Sequence, residues 1–275
     1  MKFQYFTFFV NQLNQLQLIP DKRPKKEILR SILEQNLEFK HRGSQLAYVF
    51  LKSEGDYILS KIGKKSLLRK TLPPSHKFQE TQEENWPHCY LLINLSGDPD
   101  SGQRIAFEIK SYVFYNPLEQ LRAFSDEINA KLFSSGYTIS INPITQEQKF
   151  WQLAKENSNK IRKLSLVLNA PNLFNMKGAL DDELKDLQKE FSLTKTTVEF
   201  ENPSGQLTIP EGNNFLKQGV EYITRGGGEY KLTLKSKKII SSRKNIVSKS
   251  FEDFEVNLEA KDKTTILEAL DKIFK

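Results

Sequence analysis

The chain opens on Phe3-Gln-Tyr-Phe-Thr-Phe-Phe-Val10, a short run that is apolar and aromatic with Gln4 and Thr7 set inside it. It is far shorter than the roughly 18 consecutive apolar residues that span a bilayer, and no other run in the chain approaches that length. Asn11, Gln12, Asn14 and Gln15 follow it, where a signal peptide would place small residues at a cleavage site. Its aromatic content and partial alternation predict a β-strand. With 38% apolar and 11% aromatic residues the chain can bury a sizeable core, so a wholly disordered reading fails. Its 275 residues fit two domains of ordinary size or one large one.

Periodicity and punctuation extend this first strand into an α+β layout. Pro24 suits a first helical turn, with Ile28, Leu29, Ile32, Leu33 and Leu37 at helical spacing behind it. Strands are expected at Leu46–Lys52 and Tyr57–Lys61 around a Ser53-Glu-Gly-Asp56 turn, then at Cys89–Leu95 and Arg104–Phe114. The polar stretch from Thr71 to Glu84, with two prolines, reads as a long loop. Pro117 opens a helix carrying Leu118, Leu121, Phe124, Ile128 and Leu132; Gly136 closes it and Tyr137–Ile141 returns as a strand. Thr145 and Gln148 resemble a capping box before a helix with Phe150, Trp151 and Leu153. A domain boundary is placed near Ser158, giving residues 1–158 and 159–275. The second half is expected to hold strands at Lys163–Leu168, Lys195–Phe200, Gly219–Thr224, Glu229–Leu234 and Phe251–Leu258. A helix face is expected at Leu180, Leu184, Leu187 and Phe191, and a final helix, capped at Thr265 with Glu268, carries Ile266, Leu270 and Ile273. Without a glycine fingerprint or long apolar strands, the sheets should be mostly antiparallel with flanking helices.

The charge is unevenly distributed. Lys231, Lys235, Lys237, Lys238, Arg243, Lys244 and Lys249 fall within Lys231–Ser250, which contains no acidic residue. Seven of the 41 basic residues and none of the 34 acidic ones lie there, so the rest of the chain is balanced at 34 each. A local excess of this kind is an electrostatic footprint for phosphates, and the interleaved Ser241, Ser242, Ser248 and Ser250 hydroxyls could donate to phosphate oxygens. Alternation would place Lys231, Lys235 and Lys237 on one strand face, and Lys238, Arg243 and Lys244 would extend the charge into a following loop. Smaller groups occur at Lys22, Arg23, Lys25 and Lys26, and at Lys61, Lys64, Lys65, Arg69 and Lys70. A solvated surface is the competing reading for all three.

Signals for catalysis are sparse. The single Cys89 excludes an internal disulfide and favours a reducing, cytoplasmic setting. With His41, His76 and His88 it makes no finger-like metal spacing, and no metal or cofactor is expected. Adjacent strand residues face opposite ways, so His88 and Cys89 cannot form a nucleophile pair, and Cys89 is expected in the core. Pro99-Asp100 followed by Glu108-Ile-Lys110 matches in letters a pattern used by metal-dependent nucleases, in which two carboxylates share Mg²⁺. Yet residues 104 to 108 of an extended strand span about 13 Å, too far for one ion to collect both carboxylates without a bulge. Thr224-Arg-Gly-Gly-Gly228 could present backbone amides to an anion, but lacks the Lys-Ser/Thr of a phosphate-binding loop; a bulged turn is the plainer reading.

Several stretches carry a resemblance. These are Tyr48–Leu59 on to Lys65-Ser-Leu-Leu68, Trp86–Ile93, Arg104-Ile-Ala-Phe107 and Ser134–Ile144, joined by Phe150-Trp-Gln-Leu153, Ala170-Pro-Asn-Leu-Phe174 and Gly226-Gly-Gly228. In order and layout the first domain resembles the A component of the phage lambda Rex exclusion system, and the three last-named stretches resemble a related uncharacterised phage-defence-associated family. The resemblance implies a cytoplasmic sensor or adaptor of anti-phage defence that binds double-stranded DNA, forms a homo-oligomer such as a dimer, and acts through a second defence protein encoded nearby. It supplies no catalytic residue. The expectation is therefore non-specific nucleic-acid binding without direct membrane insertion. A Mg²⁺-dependent nuclease using Asp100, Glu108 and Lys110, and a module docking an acidic protein partner, are the alternatives.

Overall fold

A computed structural model of the chain describes residues 1–13, 23–96, 103–169, 183–184, 186–187, 190–191, 193–252 and 256–275. The expected α+β architecture is present, built on two principal antiparallel sheets. The larger has eight strands: β1 (Lys2–Gln12), β2 (Leu37–His41), β3 (Ser44–Glu54), β4 (Tyr57–Lys64), β7 (His88–Asn94), β8 (Arg104–Glu108), β9 (Tyr137–Pro143) and β14 (Ser248–Ser250). Its order is β14-β1-β8-β7-β4-β3-β2, with β9 also paired to β1. The smaller sheet has the order β11-β10-β12-β13, from Lys195–Glu201, Ile161–Asn169, Gly228–Leu234 and Ile239–Ser241. Two further strands, β5 (Ser66–Thr71) and β6 (Glu80–Asn85), pair only with each other and prolong the β4–β7 ribbon as an exposed arm.

The first strand carries apolar residues on both of its faces because both are covered. Phe6, Phe8 and Val10 enter a core with helices α1 (Lys25–Leu33) and α2 (Pro117–Leu132), where the Tyr48 and Phe124 rings lie 4.9 Å apart. Phe3 and Tyr5 point the other way, onto the C-terminal helix α5 (Lys263–Phe274). A strand sandwiched in this way has no polar face to show, so its alternation is weak. A late segment of the chain closes one edge of this sheet: Ser250, Lys249 and Ser248 pair with Lys2, Phe3 and Gln4. The smaller sheet has its own core, with Leu164, Leu166, Leu168, Tyr230 and Leu232 packed under α3 (Glu147–Glu156) and α4 (Asn214–Tyr222).

Several local expectations are corrected. Gly219–Thr224 is not a strand: Asn213 accepts a hydrogen bond from the Leu216 N–H at 3.0 Å and starts α4, which runs into a wide turn at Ile223–Gly227. The cap overrides a β-rich composition, as N-caps contribute about 1 kcal/mol. Leu37 begins β2 rather than ending a helix, and the expected loop at 71–84 holds over 72–79, while Thr71 ends β5 and residues 80–84 belong to β6. Gln146, not Thr145, precedes α3, and Thr145 instead bridges Ile246. Asp262 caps α5, accepting from the Thr265 N–H at 2.8 Å. Strand β8 stops at Glu108, and residues 251–252 and 256–258 are not strand. Of the helix face expected near 180–191, Leu180 lies outside the described residues; Leu184 is buried and helical, while Leu187 and Phe191 are helical and exposed.

Candidate nucleic-acid interface

Strand β12 sorts the basic stretch by its alternation. Tyr230, Leu232 and Leu234 face the core, leaving Glu229 and Lys231 on the outer face of the small sheet. Glu229 lies outside the acid-free stretch but beside it in space. It pairs with Lys231 at 3.0 Å and with the Arg243 guanidinium. Burial works to raise its pKa, but Lys231 and Arg243 prevail and hold the carboxyl below the usual range. Two of the seven candidate cations thus share one carboxylate, which offsets one of their two charges. On the neighbouring strands Lys163 pairs with Glu199 at 2.6 Å and Arg162 with Glu201 at 3.1 Å.

The hairpin turn at 235–238 is different. Leu234 N–H donates to the Lys238 carbonyl at 2.9 Å, and Lys237 N–H to the Leu234 carbonyl at 2.9 Å, which projects Lys235, Lys237 and Lys238 outward. Lys237 sits at φ 63°, a left-handed conformation that few non-glycine residues adopt. The methylene stem of Lys235 runs over Gly205, where any Cβ would overlap it. Its N–H donates to the Lys160 carbonyl at 2.8 Å, bringing the α3–β10 turn alongside. Lys160, exposed, thereby adjoins the three turn lysines, and Lys155, also exposed, lies five residues before it near the end of α3. Among the described residues none of these five has an ion-pair partner. Lys155 and Lys160 lie some 75 residues upstream of the acid-free stretch, so only the strand pairing brings them to it.

The stretch is divided rather than forming one patch. Lys231 pairs with Ser241 in register, so Arg243 and Lys244 lie towards the opposite end of β12 from the turn, about 17 Å away at strand spacing. Lys244 is exposed there; Lys249, on β14, has its ammonium 5.6 Å from the Tyr5 ring centre. The two smaller basic groups are compensated in part. Lys61 pairs with Glu259 at 3.7 Å, Lys65 with Glu84 at 2.5 Å, Lys70 with Glu83 and Lys26 with Asp56 at 2.6 Å. Lys25 lies 5.5 Å from the Tyr137 ring centre, and Lys22 falls outside the described residues.

The nuclease reading rests on Asp100, Glu108 and Lys110. Asp100 lies outside the described residues. Glu108 is 4% exposed, and its Oε2 accepts from the Tyr90 N–H at 2.9 Å and pairs with Lys110 at 2.9 Å. Here the side chain takes over where the β7–β8 backbone pairing ends at Leu91–Phe107. Burial alone would lower the Lys110 pKa, but Glu108 raises it, so the ammonium is held charged. Among the described residues no group of three or more His, Cys, Asp or Glu could hold a metal. Cys89 is fully buried and its thiol is pushed up to about 12, first by burial and then by Glu108. The glycine run serves packing: a Cβ at Gly226 would overlap the Thr7 side chain, at Gly227 the Tyr222 ring, and at Gly228 the Val167 carbonyl.

Comparison with protein-family models, curated proteins and solved structures finds no match to this chain. Among the described residues no helix is long and apolar enough to cross a membrane.

Proposed function

We propose that this chain binds nucleic acid without sequence preference, through backbone phosphates held by Lys155, Lys160, Lys235, Lys237 and Lys238. One observation carries the reading: among the described residues, five exposed ammonium groups from the end of α3, the turn after it and the adjoining hairpin turn stand without carboxylate partners, while Arg162, Lys163, Lys231 and Arg243 on the same sheet each meet a carboxylate. Each ammonium group that neutralises a phosphate releases a cation condensed on the nucleic acid, which drives sequence-independent binding. The left-handed Lys237 supports it, since a charge is kept where glycine would be less strained. The resemblance to the Rex exclusion component adds the setting: a cytoplasmic sensor or adaptor of anti-phage defence, homo-oligomeric and working with a second defence protein.

Electrophoretic mobility shifts on unrelated DNA and RNA sequences, over a salt series, test the proposal. Binding to all of them that weakens steeply with salt is the expected result. Absence of binding to any at low salt would end the reading. Capture of an acidic protein from the neighbouring genes, with no nucleic-acid binding, would favour the adaptor alternative. A nuclease role for Glu108 has less support, because its carboxylate caps a strand.

A further inference from the structure

Beside the five lysines lies a cavity of about 250 Å³ whose lining includes Trp151, Lys155, Ser158, Asn159, Thr208 and Glu211. We infer that this cavity is a base-binding subsite, taking one unpaired nucleobase against the Trp151 indole while the adjoining lysines hold the flanking phosphates. The inference rests on the nucleic-acid reading above and adds a preference to it: single strands or frayed ends over intact duplex.

Four features point to a base. The indole is fixed before any ligand arrives: its Nε1 donates to Glu147 at 3.0 Å, and the Phe150 ring meets it edge-on at 4.8 Å. Such a preset aromatic wall is what a stacking platform requires, and stacking tolerates any base because every base has a π-face. The cavity is smaller than the roughly 300 Å³ at which drug-sized pockets begin, so it suits one planar ring system more than a whole nucleotide. Its lining carries one cation, Lys155, and one carboxylate, Glu211, so it is near neutral and matches an uncharged ring, with the carboxylate available to an exocyclic amine. Finally, Asn159 adopts φ 64° on the cavity wall, and the next residue is Lys160, whose carbonyl holds the Lys235 N–H. Base and phosphate would therefore be held by adjacent residues, matching their adjacency along one strand.

A second cavity lies across the 207–209 segment, about 340 Å³ and lined by Leu164, Phe200, Ile209, Pro210, Phe215 and Leu216. It lacks charged lining residues, and Asn213 at its edge is already used as the α4 cap. The contrast singles out the Trp151 side of the segment. A base inside a duplex is stacked and paired and cannot enter such a cavity without being extruded.

The test compares a short single-stranded DNA with a blunt duplex carrying the same number of phosphates, by fluorescence anisotropy on the full chain. The single strand should bind more tightly. Trp151→Ala should weaken single-strand binding about tenfold and leave duplex binding unchanged, while Trp151→Phe should retain most of it. A single strand carrying 2-aminopurine gives a readout that needs no variant to fold: its emission should be quenched on binding the native chain. Trp86→Phe should leave that quenching intact. Equal affinity for both forms with unquenched 2-aminopurine, or equal losses on both forms in a folded Trp151→Ala chain, would overturn the subsite and leave phosphate binding standing. Failure of the native chain to bind either form at low salt would remove the underlying reading, and the subsite with it.

Discussion

The hydroxyl of Thr7 donates to the Arg225 carbonyl at 2.9 Å, tying the first strand of the large sheet to the glycine turn that leads into the small one, 218 residues away. Gly226, the next residue, has φ +91°, and a Cβ there would overlap Thr7 Oγ1. Gly226→Ala combines a disfavoured backbone conformation with overpacking, and should cost about 1–3 kcal/mol. Gly212→Ala, in open space, should be close to neutral. Urea denaturation of the two variants checks the contrast.

Glu108→Ala should behave as the loss of a strand cap. It leaves the Tyr90 N–H without its acceptor and Lys110 without its carboxylate, which should cost about 1–3 kcal/mol. A catalytic role would give the opposite pattern: unchanged stability and abolished Mg²⁺-dependent cleavage. Parallel denaturation and cleavage assays separate the two.

Glu229 predicts an acid limb in the stability profile. Its folded pKa is held below the ordinary 4.5. The stabilisation is therefore complete above that ordinary value, and is lost as pH falls through the depressed folded value. Glu229→Gln should lower stability near neutral pH and show a shallower decline below about pH 4.5, the two curves converging in acid. Urea midpoints measured from pH 7 to pH 3 would show it; parallel curves would contradict it.

How much of this was legible in the sequence varies with the length of the signal. Strand β1 and helix α2 were readable because eight or more residues repeat one pattern, and Pro117 marks the helix start. Helix α4 was not: nine residues carrying Gly219, Val220 and Tyr222 look strand-like, and only the Asn213 cap decides. The acid-free stretch located the turn lysines. It could not reveal that Glu229, just outside the stretch, pairs with both Lys231 and Arg243, because an ion pair is set by strand facing and not by composition. Nor could it find Lys155, Lys160 or Trp151, which reach the site through the β10–β12 pairing. The glycine run invited an anion-binding reading, but its neighbours Thr7, Tyr222 and Val167 come from packing no local pattern encodes.

Lys237 offers a separation of binding from folding. Its φ of 63° suits glycine, so Lys237→Gly should leave stability unchanged or raise it, by up to about 1 kcal/mol. Removing one ammonium from the turn should at the same time weaken nucleic-acid affinity. Thermal melting and anisotropy on the same variant would check both halves.

The salt dependence of binding by the native chain and by a Lys160→Glu, Lys237→Glu, Lys238→Glu variant tests the central claim most directly. All three side chains are exposed and unpaired, so the variant should fold with native stability. Each phosphate that the variant no longer neutralises should reduce the slope of log K against log salt by about 0.9 on duplex DNA. The slope should therefore flatten by up to about three, with affinity falling on every sequence alike. A folded variant with the native slope and affinity would contradict the account and place the nucleic-acid surface elsewhere on the molecule.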